Sequence, residues 1–225
     1  MISPKFKIQQ LAIKQVLGYL RKDPEKNLPK VVSWLRKFDT ENLYTAQYDM
    51  VDEYLKDPDN NWTRLMCNLV NNVDPHIVET VFTNFLLNAS IKGWSVVAQS
   101  KEKYGYETPF TILVDPTTAC NKKCIGCWAA DYNKSLNLSY DELDKLFTDG
   151  KELGIYFYIM TGGEPLVRKN DILKLAKKHN DCVFMFFTNG TLIDQKFCED
   201  LIEVGNLVPT ISVEGFDDAT DGRRG

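Results

Sequence analysis

Residues 111–127 read T-I-L-V-D-P-T-T-A-C-N-K-K-C-I-G-C, and the rest of the chain is best understood outward from them. The apolar run 111–114 is typical of a short buried strand. It leads into a loop that places three cysteines within eight residues. Such a dense group is more typical of a metal or cluster site than of a disulfide framework when the compartment is reducing.

Strand and helix patterns alternate after this loop. Residues 155–160, 183–187 and 208–213 form further apolar runs, and helical patterns lie between them. The S-Y-D-E stretch at 139–142 is a capping-box pattern that begins one of these helices. Uninterrupted β-branched and aromatic runs separated by helices predict an α/β fold with a parallel sheet, covered by helices on both faces.

The residues before this region follow a helical pattern. Apolar side chains recur at helical spacing, and Asp-Pro pairs at 23–24, 57–58 and 74–75 resemble helix starts. The sequence therefore predicts an all-α helical domain over residues 1–105, with five helices between residues 5 and 91. The α/β domain is predicted over 106–225. An irregular bundle is the preferred arrangement of the helices, and a helical-repeat solenoid is the alternative.

Composition excludes several classes of function. The 225 residues carry a formal net charge of −4, with a pI near 5.3. Binding to nucleic acid or to an anionic membrane surface usually needs a clustered positive excess, so neither partner is expected. No apolar run reaches the roughly 18 residues of a membrane span, and the N-terminus lacks the apolar stretch of a secretory signal. A cytoplasmic location is therefore expected.

The cysteine spacing C-x3-C-x2-C, formed by Cys120, Cys124 and Cys127, favours an iron–sulfur cluster. Three thiolates leave one iron of a [4Fe–4S] cluster open to another ligand, which suits a reactive site. Structural zinc is the alternative, with His179 and Cys182 as the nearest source of a fourth ligand. Those two residues precede the third strand, whereas the cysteine loop follows the first. His179 and Cys182 are therefore expected at the opposite edge of the parallel sheet from the cysteine loop.

Polar residues follow the other strands where each strand ends. T-G-G-E-P occupies 161–165, T-N-G occupies 188–190, and Ser212 and Glu214 stand at the end of the fourth strand, two residues apart and so on one face. The carboxyl ends of parallel strands form the ligand sites of barrels and open α/β sheets. Asp115, after the first strand, is interpreted as a turn or cap residue.

Together these motifs resemble the radical S-adenosylmethionine (SAM) superfamily over about residues 110–225, nearest to its peptide-modifying, SPASM-type branch. The resemblance rests on C-N-K-K-C-I-G-C, T-G-G-E-P, T-N-G-T-L-I and S-V-E-G in this order. It implies a partial (βα) barrel in which Cys120, Cys124 and Cys127 bind three irons of a [4Fe–4S] cluster and SAM chelates the fourth. The implied SAM contacts are Gly162, Gly163, Glu164, Asn189, Ser212, Glu214 and Arg224.

The resemblance also implies a reductive reaction. An electron donor of the ferredoxin or flavodoxin type would reduce the cluster. SAM would then yield a 5′-deoxyadenosyl radical that removes hydrogen from a substrate, with a peptide or protein as the expected class. The alternatives are a non-catalytic scaffold that binds zinc or an iron–sulfur cluster, and an electron-transfer protein.

Two features depart from the family pattern. Many members have an aromatic residue just before the last cluster cysteine, where this chain has Gly126. Trp128 is a candidate to stack in place of that residue. The alternative is that Trp128 is a core or loop tryptophan with no role at the cofactor. The family barrel usually has six strand–helix units, whereas four strands are predicted here. The sequence is therefore expected to be a fragment truncated after the fourth strand, one that could be inactive alone.

Overall fold

A computed structural model describes residues 4–39, 44–129 and 135–224. The chain divides into two compact units, residues 1–79 and 80–225. This boundary precedes residue 105, where the sequence pattern changes, because the helical segment after residue 80 bonds to the loop before the third strand. Asn84 donates to the carbonyls of Asn180 and Cys182, and Asn88 donates to that of Asp181, at 2.8–3.0 Å.

The first unit is helical. Its helices are α1 (Pro4–Leu20), α2 (Pro24–Phe38), α3 (Thr45–Leu55) and α4 (Asn61–Asn72), and α5 (Pro75–Thr83) begins within it. Residues 40–43, where the third predicted helix begins, lie outside the described residues. The buried apolar side chains that cluster in this unit are Leu17, Leu20, Leu28, Val31, Val70 and Val78.

Two of the three Asp-Pro pairs begin a helix, as predicted, and the third does not. Asp23 caps α2 by accepting from the backbone nitrogen of Lys26, and α5 begins at Pro75, directly after Asp74. The pair at 57–58 instead lies in a turn, and Asn60 caps α4 by accepting from the Trp62 nitrogen at 2.9 Å. The prediction for this pair is therefore wrong, because a nearer side chain takes the capping position.

The second unit contains the sheet. It continues from α5 through a π-helix (Asn84–Lys92) and α6 (Gly93–Tyr104). The remaining elements, in chain order, are β1 (Thr111–Thr117), α7 (Tyr140–Glu152), β2 (Phe157–Gly162), a 3₁₀ turn (Pro165–Arg168), α8 (Lys169–Lys178), β3 (Val183–Thr188), α9 (Gln195–Val204), β4 (Leu207–Ile211) and α10 (Asp217–Arg224).

All four strands are parallel and lie in the order β1-β2-β3-β4. The helices between them begin and end where local chemistry predicts. Ser139 and Glu142 form a complete capping box at α7, Asp194 caps α9, and Gly205 ends α9 with a φ of 70°. A left-handed φ costs glycine little, which accounts for its place at this helix end.

The core of the second unit lies on one face of the sheet. Alternate strand residues such as Tyr158 and Phe184 pack against Phe147 of α7 and the apolar faces of α8 and α9. The opposite face carries a row of residues that are paired across neighbouring strands, one from each strand: Leu113, Ile159, Met185 and Val208. Leu113 is 60% exposed.

The expectation of helices on both faces is therefore corrected within the described residues. Strands followed by helices on one side form a partial (βα) barrel, whose other face is the barrel interior. β1 also continues to Thr117, so Asp115 lies within the strand rather than after it. Along the described ranges, no helix has the length and apolar character needed to cross a membrane.

Candidate functional site

The cysteine loop is fastened to the end of β2 by backbone hydrogen bonds. The nitrogen of Gly163 donates to the Thr117 carbonyl at 2.9 Å, and that of Glu164 donates to the Ala119 carbonyl at 2.8 Å. A Cβ on Gly163 would lie 2.1 Å from the Ala119 oxygen. Glycine is therefore needed here so that the two backbones can approach, and this contact brings Cys120 to the strand ends.

The three predicted cluster ligands lie together. Cys120, Cys124 and Cys127 are free, half-buried thiols that line one cavity of about 200 Å³. They also line a second cavity of about 350 Å³, together with Lys122, Lys123, Ala129 and Gly163. The first cavity is also lined by Trp128, by Arg223 and Arg224 of α10, and by residues at the strand ends: Thr161, Gly162, Gly163, Glu164, Phe187, Thr188, Asn189 and Ser212.

The cavity thus brings together most of the residues that the sequence singles out. Of the predicted SAM contacts, Glu214 is the one that does not line it, among the described residues. The predicted contacts did not include four residues that line the cavity: Thr161, Phe187, Thr188 and Arg223. Thr161 precedes the two glycines and Phe187 precedes T-N-G, so their position beside the motifs is the signal that could have identified them.

Glu164 is buried, and its carboxylate is occupied by protein donors. Oε1 accepts from the Thr188 hydroxyl at 2.8 Å and from the Leu166 nitrogen at 3.0 Å. Oε2 accepts from the Asn189 nitrogen at 2.9 Å. Only 1% of the residue is exposed. The carboxylate therefore joins the ends of β2 and β3 and caps the 3₁₀ turn that follows it.

Glu214 faces two arginines instead of the cavity. Arg223 Nη1 lies 2.5 Å from Oε2, and Arg224 donates to Oε1 through Nε, at 2.8 Å, and through Nη2. The hydrogen bonds from Arg223 and Arg224 lower the pKa of the Glu214 carboxyl below its usual range. Arg224 therefore borders the cavity in a position set by Glu214.

Arg223 also connects α10 to the cysteine loop. Its Nε donates to the Ile125 carbonyl at 3.1 Å, and its own carbonyl accepts from the Ile125 nitrogen at 2.9 Å. Ile125 stands between the second and third cysteines of the motif. The loop is therefore held at its start by β2 and near its end by α10.

Glycine at position 126 has a backbone explanation. Gly126 has a φ of 68°, a left-handed conformation that a bulky aromatic residue adopts only with strain. Trp128 is 59% exposed and lines the cavity. The aromatic side chain beside the cysteine loop therefore belongs to the residue after the last cysteine, rather than to the residue before it.

Asp115 is half-buried beside Gly162, and burial raises the pKa of its carboxyl. Its Oδ1 is buried and has no hydrogen-bond partner among the described residues. Gly162 has a φ of 102°, and a Cβ there would lie 2.9 Å from the Asp115 Cβ. Asp115, within β1, therefore packs against Gly162.

The two residues suggested for the zinc alternative lie away from the cysteine loop. His179 is 2% exposed and its Nε2 lies 2.9 Å from Asp144 Oδ1, while Cys182 is fully buried before β3. Neither residue lines a cavity that contains the cysteine loop. Within the described ranges, no three His, Cys, Asp or Glu side chains, the three loop cysteines included, are arranged around a single metal ion.

Comparison with known proteins identifies relatives of the second unit. The model of the Radical SAM superfamily matches residues 114–225. Fe-coproporphyrin III synthase of Methanosarcina barkeri is 34% identical over 118 residues, which cover 51% of this chain and 29% of that protein. GTP 3′,8-cyclase of Thermodesulfovibrio yellowstonii is 35% identical over 107 residues, which cover 44% of this chain and 33% of that protein.

Among solved structures, Streptococcus suis SuiB bound to S-adenosylmethionine superposes with a TM-score of 0.49 at 18% identity. The superposition covers 70% of this chain and 42% of that one. The chain spans about a third of the length of the curated relatives it matches.

Proposed function

Because the chain belongs to the radical SAM superfamily through residues 114–225, we propose that it holds a [4Fe–4S] cluster and binds SAM for radical chemistry. The cofactors of this family are that cluster and SAM. The observation that carries the proposal is one cavity lined by three free thiols and by residues that follow β2, β3 and β4. The donor set fits the cluster, because iron–sulfur clusters are held by thiolates.

Cys120, Cys124 and Cys127 are the proposed cluster ligands. When bound and reduced, the cluster would supply the one electron needed to cleave the SAM sulfonium, and the chemistry available to the site would be hydrogen-atom removal from the substrate. The chain's own residues position the reactants and exclude side reactions. The loop is bonded to β2 and α10, and its three cysteines are half-buried, which gives the thiols a fixed and partly water-shielded location.

The strand-end residues are the proposed SAM contacts. The backbone of Gly162 and Gly163 would receive the amino group, since no side chain obstructs approach there. Arg224 and Ser212 would face the carboxylate, where guanidinium supplies charge-assisted hydrogen bonds. Asn189 would lie beside them. Glu164 and Glu214 would act by placing these groups, because the carboxylate of each is already bonded within the protein.

The substrate proposed is a peptide or protein, on the T-N-G-T-L-I and S-V-E-G segments alone. The curated relatives named above are a coproporphyrin synthase and a GTP cyclase, which by their names act on small molecules. A peptide substrate can therefore be tested against the small-molecule substrate of a relative. Reduced protein with SAM is incubated with pooled synthetic peptides or with GTP. Peptide-dependent 5′-deoxyadenosine formation supports the proposal, and a response to GTP alone contradicts it.

The proposed electron donor is a ferredoxin or flavodoxin, and the proposed location is the cytoplasm, where thiols stay reduced. Flavodoxin with its reductase, or reduced ferredoxin, is expected to support the same formation of 5′-deoxyadenosine as dithionite does. Failure with both donor classes, when dithionite succeeds, would reject the proposed donor.

Anaerobic reconstitution tests the function itself. Wild-type protein is analysed for iron, sulfide and zinc, then reduced with dithionite in the presence of SAM and assayed for 5′-deoxyadenosine. Cys124→Ala is expected to lose both the cluster and the product. Cys198→Ala, in α9 and away from the cavity, is the matched control that keeps both. A zinc-loaded protein supports the scaffold alternative, and a cluster without product supports an electron carrier.

A further inference from the structure

A ring of three side chains joins the cysteine loop to the turn after β3. Asn121, directly after Cys120, accepts at Oδ1 from Asn189 Nδ2 at 2.9 Å. Its Nδ2 donates to Thr191 Oγ1 at 2.8 Å. The Thr191 hydroxyl closes the ring by donating to Asn189 Oδ1 at 2.6 Å. We call Asn121, Asn189 and Thr191 the polar clasp.

The polar clasp rests on the ends of two strands. The Asn189 nitrogen donates to Glu164 Oε2 at 2.9 Å, which fixes its backbone to the end of β2. The Thr191 nitrogen donates to Asn189 Oδ1 at 3.0 Å, so backbone and side chain of Thr191 converge on one acceptor. Gly190, with a φ of 79°, permits the tight turn between them.

Each hydrogen bond of the ring polarises the next in the same direction, because every member both donates and accepts. The ring is also largely at the surface, since Asn121 and Thr191 are exposed. Exposed polar groups contribute little to overall folding stability. Their consequence is local: they fix the loop between the first and second cysteines, which the contacts at Gly163 and Ile125 do not reach.

We propose that Asn121 and Thr191 are positioning residues, which hold the cysteine loop through Asn189 in the shape that lets three thiols share one cluster. This inference rests on the proposed function. It gives Asn189 a role in the loop that is separate from any contact with SAM. It also predicts that the hydroxyl of Thr191, rather than its bulk, is what the site requires.

The test compares Thr191→Val with Thr191→Ser, and Asn121→Ala with Asn137→Ala. Asn137 is an exposed asparagine whose amide donates to the nearby Ser135 carbonyl. Each full-length variant is reconstituted anaerobically. The readouts are iron per chain, the rate of iron loss to bipyridyl, the electron paramagnetic resonance signal of the reduced cluster, and the melting temperature before reconstitution.

Thr191→Val and Asn121→Ala are expected to lose iron about five-fold faster than wild type and to show an altered resonance signal. Thr191→Ser and Asn137→Ala should match wild type, and all four should melt near the wild-type temperature. Equal iron loss in Thr191→Val and wild type overturns the proposal. So does faster loss in Thr191→Ser, or a large fall in melting temperature for Thr191→Val, which indicates a general folding role. Wild-type protein that binds no cluster overturns the proposed function as well, so the two failures are distinguishable.

Discussion

The Glu164 carboxylate after β2 and the Asn189 backbone nitrogen after β3 are joined by a hydrogen bond of 2.9 Å. The same carboxylate accepts from Thr188 and Leu166, so one buried side chain fixes the ends of two strands. A motif glutamate that the family resemblance assigns to SAM therefore has a structural task that exists before any ligand binds.

Glu164→Ala is expected to lower the free energy of unfolding of the cluster-free protein by about 3 kcal/mol, because two buried donors and one part-buried donor lose their acceptor. Urea unfolding measures the change. Glu199→Ala, at an exposed glutamate on α9, is the control and should change stability by less than about 0.5 kcal/mol. Equal stability of Glu164→Ala and wild type would show that the carboxylate serves the ligand alone.

Gly163→Ala is expected to displace the cysteine loop, because its Cβ would lie 2.1 Å from the Ala119 backbone oxygen. We expect a loss of about 1–3 kcal/mol of stability together with reduced iron binding. Gly222→Ala in α10 is the matched control, since a Cβ there meets nothing within 4 Å. Wild-type iron content in Gly163→Ala would contradict the need for close backbone approach.

Arg224→Ala is expected to weaken SAM binding about ten-fold, which corresponds to one charge-assisted contact. Equilibrium dialysis with SAM measures the affinity. Arg223→Ala is the informative partner, because Arg223 holds Ile125 in the cysteine loop and its loss should increase iron release more than it weakens SAM binding. If Arg223→Ala mainly weakens SAM binding and Arg224→Ala mainly increases iron release, the roles assigned to the two arginines are wrong.

Acid should destabilise the protein through His179. Burial lowers the pKa of its imidazole, although the hydrogen bond to Asp144 acts in the opposite direction. The unfolded chain, with a pKa near 6.5, therefore binds the proton more readily than the folded one. The stability contributed by neutral His179 is present above about pH 6.5 and is lost as pH falls toward the folded pKa.

Urea midpoints between pH 7.5 and 5 measure this effect. His179→Gln should flatten the pH dependence in that window, while its stability at pH 7.5 falls. The pKa of Asp144 is lowered by Lys178 and His179, so its own contribution is lost at lower pH, below about 3.8. An unchanged slope in His179→Gln would assign the acid sensitivity to another group.

The sequence alone determined the cysteine spacing, the alternation of strands and helices, and the residues that follow each strand. These features depend on local chemistry: the capping box at Ser139 and Glu142 and the glycine after α9 act within a few residues. Parallel strands must also end at one edge, which is why residues far apart in the chain line one cavity.

The tertiary structure decided which partners the polar side chains choose. Spacing places Glu164 and Glu214 near the site, but it does not reveal that Thr188 and Asn189 occupy the first or that two arginines occupy the second. The polar clasp was also invisible, because Asn121 and Thr191 meet only when the loop after β1 folds across to the turn after β3. Hydrogen-bond acceptors are limited and are shared among donors from distant segments, so their allocation follows from packing.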